Sequence, residues 1–229
     1  MNRYSKITNK HKREIVLLKG RPCKWGKCSF CDYIEDNSTN EESNHSINVD
    51  VLKNVTGEFG ILEVINSGNI FELPSATLDL IKNIIKQNNI HTLFFEAHWM
   101  YRKKIQAMRD FFGIKVIVKT GLETFNREFR EKVLIKGFKY QNIDEIKKYF
   151  DSVCLMPGIL GQTKDMIKTD IELAMKHFDH FTINIFIENS TNIKPDPDLI
   201  KWFQEEYRWL DKVEKCDVLW VNTDFGVGD

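Results

Sequence analysis

"EIVLLKGRPCKWGKCSFC", residues 14–31, is an apolar run that turns directly into a loop holding three of the chain's five cysteines. Glu14 to Gly20 reads as a strand, because apolar and branched residues follow one another with no helical period. Cys23, Cys28 and Cys31 then fall as C-x4-C-x2-C at that strand's C-terminal end. In parallel α/β folds, ligands gather where strands end, so the placement of these thiols sets how the rest of the chain is read.

Outward from the loop, the chain alternates. Asp36 to His45 is polar and reads as an exposed loop, followed by a helix at Asn48 to Thr56. Ile61 to Asn66 is a second strand, closed by Ser67, Gly68 and Asn69. Residues 75–88 place Leu78, Ile81, Ile84 and Ile85 on one helical face behind a serine cap. His91 to Trp99 is a third strand, and a basic amphipathic helix runs on to about Phe112. Lys115 to Thr120 is the fourth strand, closed by Gly121 to Thr124, with helices at about 126–135 and 142–149. Ser152 to Met156 is the fifth, ended by Pro157 and Gly158. A helix at 163–177 leads to the sixth, Phe181 to Glu188. A last helix spans about Pro197 to Val213, and an apolar segment, Val218 to Val221, follows.

Six strands separated by helices predict a parallel sheet wound by right-handed crossovers. A closed eightfold barrel runs to about 250 residues. The 229-residue chain therefore predicts a six-stranded parallel partial (β/α)6 barrel with a short C-terminal extension. One domain is expected, its core at about 14–190 and its extension at about 197–229.

Composition narrows the class. Thirty-three basic residues balance thirty-three acidic ones, so no global charge draws the chain to nucleic acid or an anionic membrane. A local basic patch stays open. No apolar run reaches the length of a membrane span. Met1 to Arg13 is polar and basic and does not read as a signal peptide. Its basic residues read as a solvated tail. An odd number of cysteines argues for free thiols in a reducing compartment, hence a cytoplasmic protein.

Thiolates are soft ligands that suit zinc or an iron–sulfur cluster. A structural zinc site takes four protein ligands, and Cys154 and Cys216 are lone residues in or near strands. His11 or His45 would complete a Cys3His zinc module with no catalytic role. The other reading is a [4Fe–4S] cluster on three thiolates with one open iron, where Phe30 excludes water. Spacing alone leaves both open. Taken singly, Glu123 also reads as a helix N-terminal charge, Lys136-Gly137 as a helix C-terminus, and Gly158 and Gly161 as turn residues.

Four segments in register give the pattern a family resemblance. It resembles the radical S-adenosylmethionine (SAM) superfamily, which carries C-x3-C-x2-C or a variant after the first strand, with an aromatic residue before the last cysteine. Here one extra residue widens the loop at Lys24-Trp25-Gly26-Lys27. "NSGNIFELP" (66–74) resembles the segment that receives the SAM amino group, through Asn66, Ser67, Gly68 and Asn69. "TGLETFNREFREKVLIKGF" (120–138) resembles the segment whose glutamate, Glu123, meets the ribose and whose Lys136 lies near the SAM carboxylate. "CLMPGILGQT" (154–163) is similar to the segment packing on adenine, through Pro157, Gly158, Ile159 and Leu160.

The resemblance implies reductive cleavage of SAM to a 5′-deoxyadenosyl radical, with an electron donor such as flavodoxin or ferredoxin. Glu96 and His98 share parity near the third strand's end, as do Asn184, Phe186 and Glu188 on the sixth. With Asp224, whose segment Val221 to Asp229 is expected to fold over the open barrel, Glu96, His98, Asn184 and Glu188 are the candidates for substrate contact. No appended recognition domain is visible, which points to a small nucleoside or nucleotide rather than tRNA, although a tRNA or another nucleoside stays open. Within the superfamily the chain is similar to the compact queuosine-salvage lyases. These cleave the N-glycosidic bond of queuosine or its 5′-phosphate and free its 7-deazaguanine base.

Overall fold

The computed structural model describes residues 1–228. Contacts within it fall into two compact units. The first comprises Met1–Gly26, Tyr33–Val118 and the C-terminal residues from Thr223, and the second Lys27–Asp32 and Lys119–Asn222.

The first unit carries β1 (Tyr4–Ile7), β2 (Arg13–Leu18), β3 (Ile61–Asn66) and β4 (Thr92–Glu96), in that spatial order. β2, β3 and β4 run parallel, with Val16, Val64 and Phe95 in one row, whereas β1 is antiparallel to β2. Leu62, Val64, Leu93 and Phe95 are almost fully buried and give this sheet one apolar face. The other face buries an ion pair. Arg13 donates to Glu63 at 2.5 Å with both side chains fully enclosed, and its guanidinium lies over the rings of Phe94 and Phe225.

Helix α1 (Glu41–Leu52) begins seven residues before the helix expected from Asn48, inside the stretch that reads as an exposed loop. Asparagine chemistry explains the difference. The Asn40 side chain caps the helix by accepting from Ser43 N. Asn44 donates to the carbonyls of Gly20 and Ser38, and Asn48 both accepts from Lys19 N and donates to Lys19 O. A face that is polar in sequence is thus buried, because its amides satisfy the backbone entering the cysteine loop. α2 (Ser75–Gln87) and α3 (Ile105–Phe112) complete this unit, α3 preceded by a 3-10 turn at Trp99–Lys104.

The second unit holds β5 (Lys115–Glu123, from Lys119 onward), β6 (Ser152–Leu155), β7 (His180–Asn184) and β8 (Cys216–Leu219), all parallel. Thr120, Val153, Phe181 and Cys216 form one fully buried row, and Gly121, Cys154, Thr182 and Asp217 form the next. α4 (Ile143–Lys147), α5 (Lys164–His177) and α6 (Pro197–Tyr207) lie between or after these strands, with a π-helical turn at Phe129–Val133. At the start of β6 and β7, Ser152 Oγ lies 2.8 Å from His180 Nδ1, and His180 Nε2 lies 3.1 Å from Asp217. All three are buried at the strand ends opposite the ligand-binding side, so this line of groups ties strands together.

The expected six strands become eight among the described residues, one of them antiparallel. β1 was hidden in the polar tail, where a four-residue edge strand leaves little periodic signal. β8 is the closing apolar segment, shifted two residues earlier. The sixth expected strand is four residues shorter at its end, since β7 stops at Asn184. Beyond that point strand parity no longer orients Phe186 and Glu188.

Candidate active site

In the second unit, Lys27–Asp32 carries two of the thiols, held by backbone contacts. Ser29 N donates to Leu134 O at 3.1 Å, Ser29 Oγ to Val133 O at 2.6 Å, and Cys31 N to Cys28 O at 3.3 Å. Asn189 Nδ2 donates to Phe30 O at 2.7 Å. Cys28 and Cys31 pack on an apolar cluster of Phe30, Phe129, Leu134, Met156, Ile159 and Phe186. A shielded sulfur layer of this kind limits water at the metal.

Lys136 stands beside that layer. Its ammonium lies 2.6 Å from Glu123 Oε1 and 5.2 Å from the centre of the Phe30 ring. Burial alone would lower its pKa, yet Glu123, Cys28 and Cys31 together hold it above the ordinary lysine range. Glu123 reaches this position through strain: its φ is +67° at a bulge where β5 shifts register against β6. Gly121 makes room for the pair, because a Cβ there would sit 2.5 Å from Glu123 Oε1 and 2.9 Å from Lys136 Nζ.

The glycine-containing segment after β6 is equally fixed. Gly158 and Gly161 have φ of +99° and +94°, which side-chain-bearing residues rarely adopt. Gln162 accepts from Ile159 N and donates to Met156 O, and Pro157 O accepts from Phe186 N. Ile159 is buried, whereas Leu160 is 60% exposed and offers an apolar surface.

In the first unit, Cys23 lies against Gly68, whose hypothetical Cβ would stand 3.6 Å from Cys23 Cα and Cβ. Glu72 organises this region. Its carboxylate accepts from Lys24 N (3.2 Å), Asn69 N (3.0 Å) and Tyr101 OH (2.9 Å). Burial pushes its pKa up, while those donors and Arg21 pull it down, with burial the stronger. Asn66 Nδ2 donates to Asn69 O, and Ser67 Oγ donates to Asp36 O. Asn69 Oδ1 accepts from Phe71 N, while its Nδ2 is buried with no protein partner.

The donor set fits the group that the family resemblance implies. In the second unit, two thiols on an apolar wall with an ammonium close to both suit an anionic iron–sulfur cluster. The buried Asn69 amide offers a hydrogen bond to a bound acceptor. Among the described residues, no three His, Cys, Asp or Glu side chains converge on one point as the ligands of a single zinc would. His45 Nδ1 is engaged with Thr77 Oγ1 at 2.9 Å.

The substrate candidates fall in both units. Glu96 ends β4, half-buried. His98 caps the 3-10 turn through Met100 N, and its ring stacks on Trp25 of the widened loop at 5.4 Å. Asn184 ends β7 with a buried, unpartnered Oδ1, and Thr182 on the same side of the strand has an unpartnered Oγ1. Glu188 is exposed and pairs with Lys194 at 3.0 Å. Asp224 is exposed in a tail that runs beside β1, where Gly228 bridges to Asn2 and Phe225 covers Arg13 at the start of β2.

Glu72, Gly121, Gln162 and Asn189 escaped the sequence reading. Glu72 stands inside the quoted "NSGNIFELP" segment, and its spacing of three from Asn69 was a capping-box signal. Gly121 and Gln162 also stand inside quoted segments, at 120–138 and 154–163, without a role being read for either, and nothing local marked Asn189. No helix among the described residues is long and apolar enough to cross a membrane.

No protein-family model and no curated protein matches the sequence. Among solved structures, the chain matches a queuine lyase from Clostridium spiroforme bound to SAM and queuine, with 58% identity and a TM-score of 0.99 over 100% of both chains. Agreement of that depth, without a gap in coverage, covers the cysteine loop and every strand end described above. The chain belongs to the queuine lyase family of radical SAM enzymes.

Proposed function

We propose that this chain cleaves the N-glycosidic bond of queuosine or its 5′-phosphate and releases queuine. The observation that carries the reading is full-length 58% identity to a lyase whose structure holds SAM and queuine. The scaffold is a parallel partial barrel of radical SAM type, acting on a small molecule at the C-terminal strand ends.

Cys23, Cys28 and Cys31 would hold a [4Fe–4S] cluster. When bound, the cluster and SAM supply a 5′-deoxyadenosyl radical once an electron has been delivered. The chain's own groups set the conditions for that chemistry. Phe30, Phe129 and Met156 exclude water from the sulfurs. Lys136 compensates thiolate charge and presents an ammonium to the SAM carboxylate. Glu123 accepts from ribose hydroxyls, and Asn69 donates from its buried amide. Asn184 Oδ1 and Thr182 Oγ1 offer acceptors to the donor edge of a deazaguanine. Taking a hydrogen from the substrate ribose then weakens the N-glycosidic bond.

The test is anaerobic reconstitution with iron and sulfide, followed by incubation with SAM, dithionite and queuosine. Queuine and 5′-deoxyadenosine are expected together. If 5′-deoxyadenosine accumulates without queuine, the substrate is wrong. A protein that takes up no iron would overturn the class.

A further inference from the structure

With no net charge on the chain, attraction to any charged partner has to come from a local patch. The first unit has one. Arg21, Pro22, Lys24, Phe71, Tyr101 and Lys104 line an open groove of about 490 Å³. Arg102 and Lys103 precede Lys104 on the same 3-10 turn, with the Arg102 guanidinium over the Trp99 ring. The acidic groups facing it offset only part of this charge. Glu41 pairs with Arg21 at 3.2 Å, both side chains half-exposed, and Glu72 is buried with its oxygens taken by Lys24 N, Asn69 N and Tyr101 OH.

The groove's place matters as much as its charge. Pro22 and Lys24 are the two neighbours of Cys23, so one wall of the groove is the backbone of the first cluster ligand. Its aromatic side is Phe71 stacked on Tyr101, ring centres 4.6 Å apart. From there a hydrogen-bonded chain runs from Tyr101 OH through Glu72 to the peptide joining Cys23 and Lys24. A radical substrate needs shielding from water, and this groove is open, with Arg21 and Lys104 exposed. It suits a transient, small-area contact of the kind electron-transfer partners make.

We propose that this basic groove is the docking surface for a small acidic one-electron carrier protein of the flavodoxin type, delivering its electron at Cys23. The inference rests on the radical SAM reading above and adds its partner's landing site. In the step, the carrier's anionic flavin hydroquinone gives up one electron and becomes the neutral semiquinone, with no proton transferred. The electron is consumed when the C–S bond of SAM breaks to methionine and 5′-deoxyadenosyl.

The experiment compares the reconstituted holoenzyme with the double variant Arg21→Glu/Lys104→Glu, and with Lys86→Glu on the exposed side of α2 as a control. Binding of oxidised flavodoxin is measured by calorimetry at two salt concentrations. Turnover is measured with flavodoxin hydroquinone and separately with dithionite. The double variant is expected to weaken flavodoxin binding about tenfold or more and to flatten its salt dependence. Arg21→Gln/Lys104→Gln should fall between it and the parent. Dithionite-driven turnover and the Lys86→Glu control should be unchanged. Unaltered flavodoxin affinity in the double variant overturns the proposal, as does an equal loss with dithionite. A changed KM for queuosine 5′-phosphate with flavodoxin binding intact makes the groove a phosphate subsite and also overturns it. Failure of the lyase reading shows differently, as absent queuine in the parent enzyme while flavodoxin binding still reports on the groove.

Discussion

The Lys136 ammonium and the Glu123 carboxylate meet at 2.6 Å, each nearly buried, on a residue whose backbone is strained to φ +67°. Such strain persists where the surroundings over-determine it, and it marks positions at which a side chain is being aimed. Here two groups expected to serve SAM separately, one for its ribose and one for its carboxylate, are held as a pair beside two thiols of the cysteine loop. Pairing helps keep the Lys136 ammonium charged and leaves protons on it and lone pairs on the carboxylate for a ligand.

Gly121→Ala tests that arrangement. The added Cβ would overlap both partners, at 2.5 and 2.9 Å, and would displace the charged ends of these two side chains. The fold should survive and iron content should hold, while SAM affinity falls about tenfold or more, since small misplacements at such sites are costly. Equilibrium dialysis with labelled SAM reads this directly; unchanged affinity would mean the pair is not part of the SAM site.

Glu72→Gln replaces a three-donor acceptor by an amide that must turn its NH₂ towards one of those donors. We expect faster loss of cluster iron and about 1–3 kcal/mol of stability lost, the cost of leaving buried polar groups unsatisfied. Tyr101→Phe, which removes one of the three bonds, should fall at the lower end. Iron and sulfide per chain, with urea unfolding, decide it.

His98→Ala removes the ring on which Trp25 rests. The expected result is a cluster that bleaches sooner in air, with KM for queuosine unchanged, because the imidazole is spent on the loop. A raised KM with normal cluster lifetime would restore His98 to the substrate pocket.

Asp170 gives a pH prediction. Burial raises its pKa from 3.8 to about 7, against the opposing pull of Phe125 N, Thr124 and Arg130. The folded chain therefore holds this proton more tightly than the unfolded one, so its contribution to stability is full below about 3.8 and is lost as pH rises to about 7. The stability of the parent relative to Asp170→Asn should fall between pH 5 and pH 7 and then level off. Denaturant midpoints across that range check the sign, and a relative gain for the parent would refute it.

The cysteine loop, the alternation of strands and helices, and the segments at each strand end were legible because they are local. Spacing of thiols, apolar period and glycine position all act over a few residues. α1 was misread at its start because Asn44 and Asn48 look solvated in sequence and become buried only when the Lys19–Gly20 backbone needs their amides. β1 was missed because an edge strand of four residues is defined by its partner, β2, more than by its own pattern.

What the sequence by itself determined was three soft ligands after a first strand and a chain able to alternate around them. Only the folded molecule decided which carboxylate clamps the loop, that Lys136 pairs with Glu123, and that Gly121 leaves them space, since those partners lie 13 or more residues apart for the ion pair and 48 apart for Lys24 and Glu72. Contacts of that separation are set by packing and by the need to satisfy buried polar groups, and no short-range pattern encodes either one.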